Sequence, residues 1–431
     1  MSTPASAPIA IIGGGPAGLT LARFLERAGL NYVVFERDPS ASANHQGGSL
    51  DLHEGTGLTA LDAAGLRDEF EKYARYEAAV FHVQDFRGGN KFKADAGEAG
   101  NVRPEIDRKQ LRQILLDSIP AERVRWGKAV KAIEREQGEK GESAKGAKGW
   151  VLKFEDGETE KGFRLIVGAD GTFSAVRSLI TPAKPKYSGK INIEGRLTPS
   201  NPLYASTLEA VGPGSSAAMG AGRVLLLQQM GDRTYRMYAG LEEPDTTITR
   251  PGGPLDFASP SADVEKARAA LLAHYEGWAP HLRAYIQHAE APWRVWPLYT
   301  LDEETFTFTD GQSEGKANWK RAPGVTLLGD AAHVALPNGE GVNAAMLDSL
   351  RLSEALTAEL NAEEEKGKEG DDVAAIERAI DVYEKDMRER AIEHVRDGVM
   401  MNEMMYQADG AERMIAFFKQ FEEQAAAAGQ A

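Results

Sequence analysis

The chain has 431 residues, 42% of them hydrophobic, which is enough for more than one core. Its formal net charge of −15 argues against nucleic acid or an anionic membrane as the main partner, because both require a basic surface. Without a single cysteine there can be no disulfide, thiolate nucleophile, CxxC pair or thiolate metal site, so any redox chemistry must come from a bound cofactor.

In chain order, Met1 to Pro8 lacks the basic region of a signal peptide and leads directly into an apolar strand. No apolar run has the length of a membrane-spanning helix, so a cytoplasmic monomer without a membrane span is expected. The run Ile9-Ala10-Ile11-Ile12 is followed by G-x-G-x-x-G (Gly13, Gly15, Gly18) and then by a helical pattern at Leu19, Leu21, Phe24 and Leu25. This is the order of a dinucleotide-binding turn. Gly13 permits the turn, Gly15 admits a pyrophosphate close to the backbone, and Gly18 lets helix and strand pack, with Pro16 and Ala17 opening the helix whose N-terminus faces the phosphates. The next strand, Tyr32 to Phe35, ends at Glu36, 18 residues past Gly18, where an acid can accept from an adenosine ribose.

A helix is expected around Gly57 to Ala64. Short strands follow near Ala79 to Val83, with a turn at Gly88-Gly89-Asn90. Helical periodicity returns over Asp107 to Ile119, with Asp107 placed to cap it. Glu139 to Lys148 reads as a solvated hairpin tip between the strand-like segments at Val130 to Ile133 and Trp150 to Phe154. Strand Phe163 to Val167 leads to Gly168-Ala169-Asp170-Gly171 and a helix through Val176 and Leu179. From Lys184 to Pro292 the alternation predicts a mostly antiparallel sheet with one helix at Ala262 to Tyr275. Within it, the glycine cluster from Gly212 to Gly222 precedes a strand, which makes it a turn and not a second phosphate cradle. A buried strand then ends in Gly329-Asp330, Glu363 to Asp372 reads as an exposed loop, and the tail beyond is an amphipathic helix.

The expected fold is α/β: a doubly wound Rossmann-like domain (residues 1–76, 101–183 and 293–362), an inserted mostly antiparallel sheet domain (77–100 and 184–292), and a C-terminal helical segment (363–431). The sequence has no HExxH, no G-x-S-x-G and no cluster of metal ligands, so neither a catalytic triad nor a metal is expected.

Together, Gly13 to Gly18 with Glu36, Asp170-Gly171, and Gly329-Asp330-Ala331-Ala332-His333 resemble the single-component, aromatic-hydroxylase-like (group A) FAD-dependent monooxygenases over nearly the whole chain. Gly47 to His53 and Glu105 to Arg112 are more similar still to the tetracycline-inactivating members, the tetracycline destructases. The resemblance implies FAD contacts at Gly13, Gly15, Pro16, Ala17, Gly18, Glu36, Arg37, Asp51, Arg108, Asp170 and Asp330. Backbone contacts follow at Gly341, Val342 and Asn343, where a helix begins near the flavin. It further implies NADPH as electron donor and O2 as co-substrate. A flavin hydroperoxide would hydroxylate an electron-rich aromatic or polyketide small molecule, with tetracycline-type antibiotics, inactivated by hydroxylation, as the leading substrate. The alternative is a flavin oxidase or dehydrogenase that inserts no oxygen, or a different phenolic substrate. No protein side chain is expected to be catalytic in itself.

Several positions depart from the family pattern. The turn Pro337 to Gly341 is one residue short, Glu194 stands where the destructases bind substrate with a glutamine, Asn44 replaces an arginine, and Ser215 lies in the glycine-rich stretch that takes the place of another. His53 and His333 read as hydrogen-bonded structural histidines more readily than as acids or bases. Trp293, Trp296, Phe81 and Tyr238 are candidates for an aromatic pocket, and Met400, Met401, Met404 and Met405 for a cover over the substrate.

Overall fold

Strand Ile9–Ile12, buried at all four positions, is the centre of a five-stranded parallel sheet. Leu165–Gly168 pairs with it on one side and Tyr32–Phe35 on the other; Val325–Leu327 and Val124–Arg125 form the edges. Since all five strands run the same way, the chain leaves them at one edge of the sheet. Gly13, Glu36, Ala169-Asp170 and Gly329-Asp330 therefore converge although up to about 300 residues separate them. The architecture is that of a computed structural model, which describes residues 7–43, 47–89, 91–95, 103–136, 149–307, 318–365 and 372–428.

Helix Pro16–Arg27 buries Leu19, Leu21, Phe24 and Leu25 against this sheet, the spacing expected of an amphipathic helix. Helix Gly341–Glu365 lies alongside, with Ser349 Oγ donating to the Ala17 carbonyl at 2.8 Å. The long helix Asp372–Tyr406 joins the same core, where the Tyr383 hydroxyl donates to the Leu327 carbonyl at 2.8 Å.

The second sheet has seven strands, in the order Glu290–Thr300, Lys186–Leu197, Tyr235–Glu242, Arg223–Gln229, Ser215–Gly220, Val80–Asp85 and Phe92–Asp95. All its pairings are antiparallel except that of Ser215–Gly220 with Val80–Asp85. Its last chain segment continues past residue 292, as far as Thr300. One face packs on helices Val264–His274 and Pro280–His288. Opposite them, Val83, Ala217, Met219 and Val224 meet Tyr406, Ala411 and Met414 of the tail. The stretch Gly212 to Gly222, expected as a turn, is instead largely strand Ser215–Gly220, and only Gly220 to Gly222 turns between two strands; no helix follows it.

Several local expectations need correction. Helices Tyr204–Val211 and Pro280–His288 lie where only strands and one helix were expected, because elements of eight or nine residues show little periodicity. Val176–Leu179 is a single 3-10 turn. Asp107 does not cap its helix with its side chain; it accepts instead from Gly231 N at 3.0 Å and from Arg75 Nη2 at 3.1 Å. Glu363 is not on an exposed loop: helix Gly341–Glu365 includes it, and it is buried and hydrogen-bonded by Arg378 at 2.6 Å. The 139–148 tip and Asn44 lie outside the described residues.

Candidate functional site

Where the parallel strands end, a cavity of about 1460 Å³ begins and runs on to the seven-stranded sheet and the tail helices. Its first part is lined by main chain. Gly13 has φ +111°, and a Cβ there would lie 2.2 Å from the Ala169 carbonyl oxygen, so the turn admits no side chain. At Gly18 a Cβ would meet the Gly13 carbonyl at 2.0 Å, which is the close helix–strand packing that the spacing predicts. Gly15, in contrast, has nothing within 4 Å of a Cβ position. It is the N-cap of helix Pro16–Arg27, with no side-chain cap and no acid in the first turn, so the positive helix end is not neutralised locally.

Glu36 closes the turn: Gly14 N donates to its Oε2 at 2.5 Å and Asp38 N to its Oε1 at 2.9 Å. Asp170 accepts at Oδ2 from Ala175 N at 2.7 Å, while its buried Oδ1 has no partner among the described residues. Burial pushes the Asp170 carboxyl above the ordinary aspartate range, against the pull of its hydrogen bonds. A buried, unsatisfied acceptor beside a bare glycine turn and an uncapped helix end fits a large ligand rich in phosphate and hydroxyl groups, as FAD is.

Of the predicted cofactor residues, Gly13, Gly15, Pro16, Ala17, Glu36, Arg37, Asp51, Arg108, Asp170, Asp330, Gly341 and Val342 all line the cavity. Gly18 and Asn343 stand behind its wall. Fully buried Asn343 donates from Nδ2 to the Asp51 carbonyl at 3.0 Å and accepts at Oδ1 from His53 N at 3.0 Å. It thereby ties the helix start at Gly341 to strand Ser49–Asp51.

Three supporting groups were not anticipated. Arg112, one helical turn beyond Arg108, donates to the carbonyls of Gly14 at 3.2 Å and Ala41 at 3.0 Å and pairs with Asp38 at 3.3 Å. The i, i+4 spacing of two arginines within Glu105 to Arg112 was the available signal. Buried Arg177 donates to the carbonyls of Thr172, Asp330 and Ala331 at 2.6–2.8 Å, joining the Asp170 loop to the Asp330 turn. Fully buried Asp348 accepts from Gly329 N at 2.9 Å, pairs with His333 Nε2 at 2.7 Å, and receives Arg390 Nη1 at 2.8 Å. Burial alone would raise the Asp348 carboxyl, but these partners hold it below the usual aspartate range. His333 is thus a structural residue beneath the Asp330 turn, and no local pattern in the sequence marks Asp348.

The far end of the cavity is walled by side chains: Phe81, Val224, Leu226, Tyr238, Met400, Met401, Met405, Met414, Phe417 and Phe418, with Asn192, Ser215 and Gln228 as polar points. Phe81 and Tyr238 thus stand where an aromatic pocket was expected. Trp293 instead stacks on Phe257 at 4.5 Å, and Trp296 Nε1 donates to Glu194 Oε2 at 2.9 Å. Glu194 requires correction as a substrate contact. It is fully buried, paired with Arg236 and 3.7 Å from Arg294, and is not part of the lining; Asn192, two positions earlier on the same strand, is. Met400, Met401 and Met405 line the cavity, whereas Met404 packs among the apolar residues beside it.

Buried Glu105 lies on the wall between the two ends. Burial pushes its carboxyl up to about 7, opposed by the Ser49 hydrogen bond and reinforced by the charge of Asp51. Among the described residues no helix is long and apolar enough to cross a membrane.

The family profile described as an FAD binding domain matches residues 6–195. The monooxygenase penA of Penicillium thymicola is 31% identical, over 81% of this chain and 84% of that protein. The chain belongs to the FAD-dependent monooxygenases. Among solved structures, Klebsiella pneumoniae HpxO complexed with FAD and uric acid aligns with TM-score 0.69 and 22% identity over 96% of this chain and 93% of that one. Tetracycline destructase Tet(55) aligns with TM-score 0.66 and 15% identity over 98% of each chain. At those identities the likeness is one of fold. The monooxygenase is accordingly a flavoenzyme, with the glycine turn and four of the five parallel strands inside the span that the family profile matches.

Proposed function

We propose that the monooxygenase draws electrons from NADPH and adds one oxygen atom of O2 to an electron-rich aromatic or polyketide small molecule, with tetracycline-type antibiotics as the leading candidates. The observation that carries this reading is the continuity of one cavity from the bare glycine turn to a wall of aromatic, aliphatic and methionine side chains. Residues Gly13 to Ala17, Glu36, Arg37, Asp51, Arg108, Asp170, Asp330, Gly341 and Val342 would hold FAD, which when bound supplies the redox chemistry and the activation of oxygen. The chain's own tasks are to bind, orient and keep dry. Phe81, Tyr238 and Leu226 would support an aromatic ring, Asn192 and Gln228 would orient its polar groups, and Met400, Met401, Met405 and Phe418 would exclude water.

In this reading residues 1–76, 101–183 and 301–362 serve the cofactor, 77–100 and 184–300, with strand Glu290–Thr300 included, the substrate, and the tail helices cover both, in a cytoplasmic monomer. The test is NADPH and oxygen consumption by the FAD-loaded protein across tetracyclines, simple phenols and polyketide aromatics, with mass spectrometry of the products. The expected result is substrate-stimulated consumption and a product heavier by one oxygen atom. NADPH oxidation that yields only peroxide whatever is added would overturn the reading.

A further inference from the structure

Turn Pro337 to Gly341, one residue shorter than the family pattern, is held from three sides. Asn402 Nδ2 of the long tail helix donates to the Pro337 carbonyl at 2.9 Å, and Asn338 Nδ2 donates to the His394 carbonyl at 3.3 Å. Gly398 lets that helix approach, since a Cβ there would lie 2.7 Å from the Leu336 carbonyl oxygen. The third side is His53. Its Nε2 is 2.7 Å from Asp51 Oδ2, and its Nδ1 is 3.0 Å from Glu340 Oε1 and 3.2 Å from Glu340 Oε2.

Both ring nitrogens therefore face carboxylates. A neutral imidazole has one N–H and would set a lone pair against one of the two acids, whereas the doubly protonated ring donates to both. The side chain is only 9% exposed, so water offers little alternative. Asn343, which faces it from the following helix, is neutral; beyond Glu340 lie Asp397 and His394 of the tail helix. Burial pulls the His53 ring toward neutrality, but the hydrogen bonds and charges of Asp51 and Glu340 outweigh it and push the ring up to about 9. His394, in contrast, is driven down to about 3 by burial and by His333, and adds no charge at neutral pH.

We propose that His53 is a positioning residue: as an imidazolium it clamps Glu340 to Asp51, and so sets the main chain of Gly339 to Val342 against the cofactor end of the cavity. Asp51, Gly339, Glu340, Gly341 and Val342 all line that cavity, while His53 stands behind them. This rests on the reading of that end as the FAD site.

The experiment uses the full chain, with and without FAD, and four variants: His53→Gln, Glu340→Gln, the double variant of these two, and Asp330→Ala. Proton NMR of the histidine rings, with His53→Gln identifying the signal, should show His53 titrating near pH 9 and at lower pH in Glu340→Gln, whether or not FAD is present. A His53 signal that titrates below pH 7 in the unsubstituted chain would overturn the clamp. FAD affinity, followed by flavin fluorescence from pH 6 to 10.5, should fall as pH rises through about 9. In His53→Gln it should be about tenfold weaker at pH 7, the loss of one charge-assisted hydrogen bond, and should lack that pH step. Glu340→Gln should weaken FAD by a similar factor, and the double variant by little more than either. An unchanged affinity and pH step in His53→Gln would overturn the proposal. FAD binding that survives Asp330→Ala undiminished would overturn the cofactor reading instead, a failure that the ring titration does not share.

Discussion

At one end of the cavity the wall is mainly main chain: the Gly13 turn, the uncapped start of helix Pro16–Arg27 and the backbone around Gly341. At the other end it is side chains, Phe81 from one strand, Leu226 and Tyr238 from two more, and Met405 and Phe418 from separate tail helices. The difference teaches how one scaffold can keep a cofactor while its substrates change. The turn has no space for an added atom at Gly13 or Gly18, so those two glycines are held by sterics, whereas an apolar side-chain wall can be repacked at small cost.

That contrast can be broken most directly at Gly13. Gly13→Ala should lower stability by about 4 kcal/mol and abolish FAD retention, because a Cβ has no space at φ +111°; urea denaturation and flavin content check both. Next, Asp348→Ala should cost about 3 kcal/mol, since it strands His333 and the Gly329 N–H in the interior and leaves Arg390 with Asp386 alone; a normal denaturation midpoint would show that the Asp330 turn supports itself.

The side-chain end should respond more weakly and differently. Phe418→Ala, which removes a ring centred 5.8 Å from Phe81 and 6.3 Å from Phe92, should cost about 1 kcal/mol of stability. It should raise KM for the accepted substrate severalfold while leaving FAD affinity within about twofold, and a matching loss of FAD would erase the distinction between the two ends.

Glu105, between the ends, should show its effect only through pH. Its folded carboxyl holds a proton up to about pH 7 and the unfolded one only to about 4.5, so the folded state binds more protons in that window. Stability should fall as pH rises from 4.5 to 7 on this account. Glu105→Gln removes the loss and should gain up to about 3 kcal/mol at pH 8 relative to pH 4.5, measured as the difference between denaturation midpoints.

Much of the main-chain end of the cavity was legible from sequence because its determinants are local: strand, turn, helix and terminal acid follow one another between Ile9 and Glu36. The acids at Asp170 and Asp330 were legible for the same reason, each following its own strand directly. Glu194 was singled out by resemblance, and a resemblance at one position does not show what covers it; Arg236, Arg294 and Trp296 all arrive from neighbouring strands. His53 was visible as a residue, but its partner Glu340 lies 287 positions away.

The sequence by itself determined the parallel sheet and the dinucleotide turn, because those depend on hydrophobic period and on glycines whose demands are met within a few residues, while the flavin family was reached through the resemblance that three separated motifs carry. Only the tertiary structure decided that Asn192 and not Glu194 reaches the cavity, that Asp348 holds the Asp330 turn, and that His53 faces two carboxylates at once. Those outcomes depend on which distant strands and helices come within hydrogen-bond range, and that distance is a property of packing and not of local pattern.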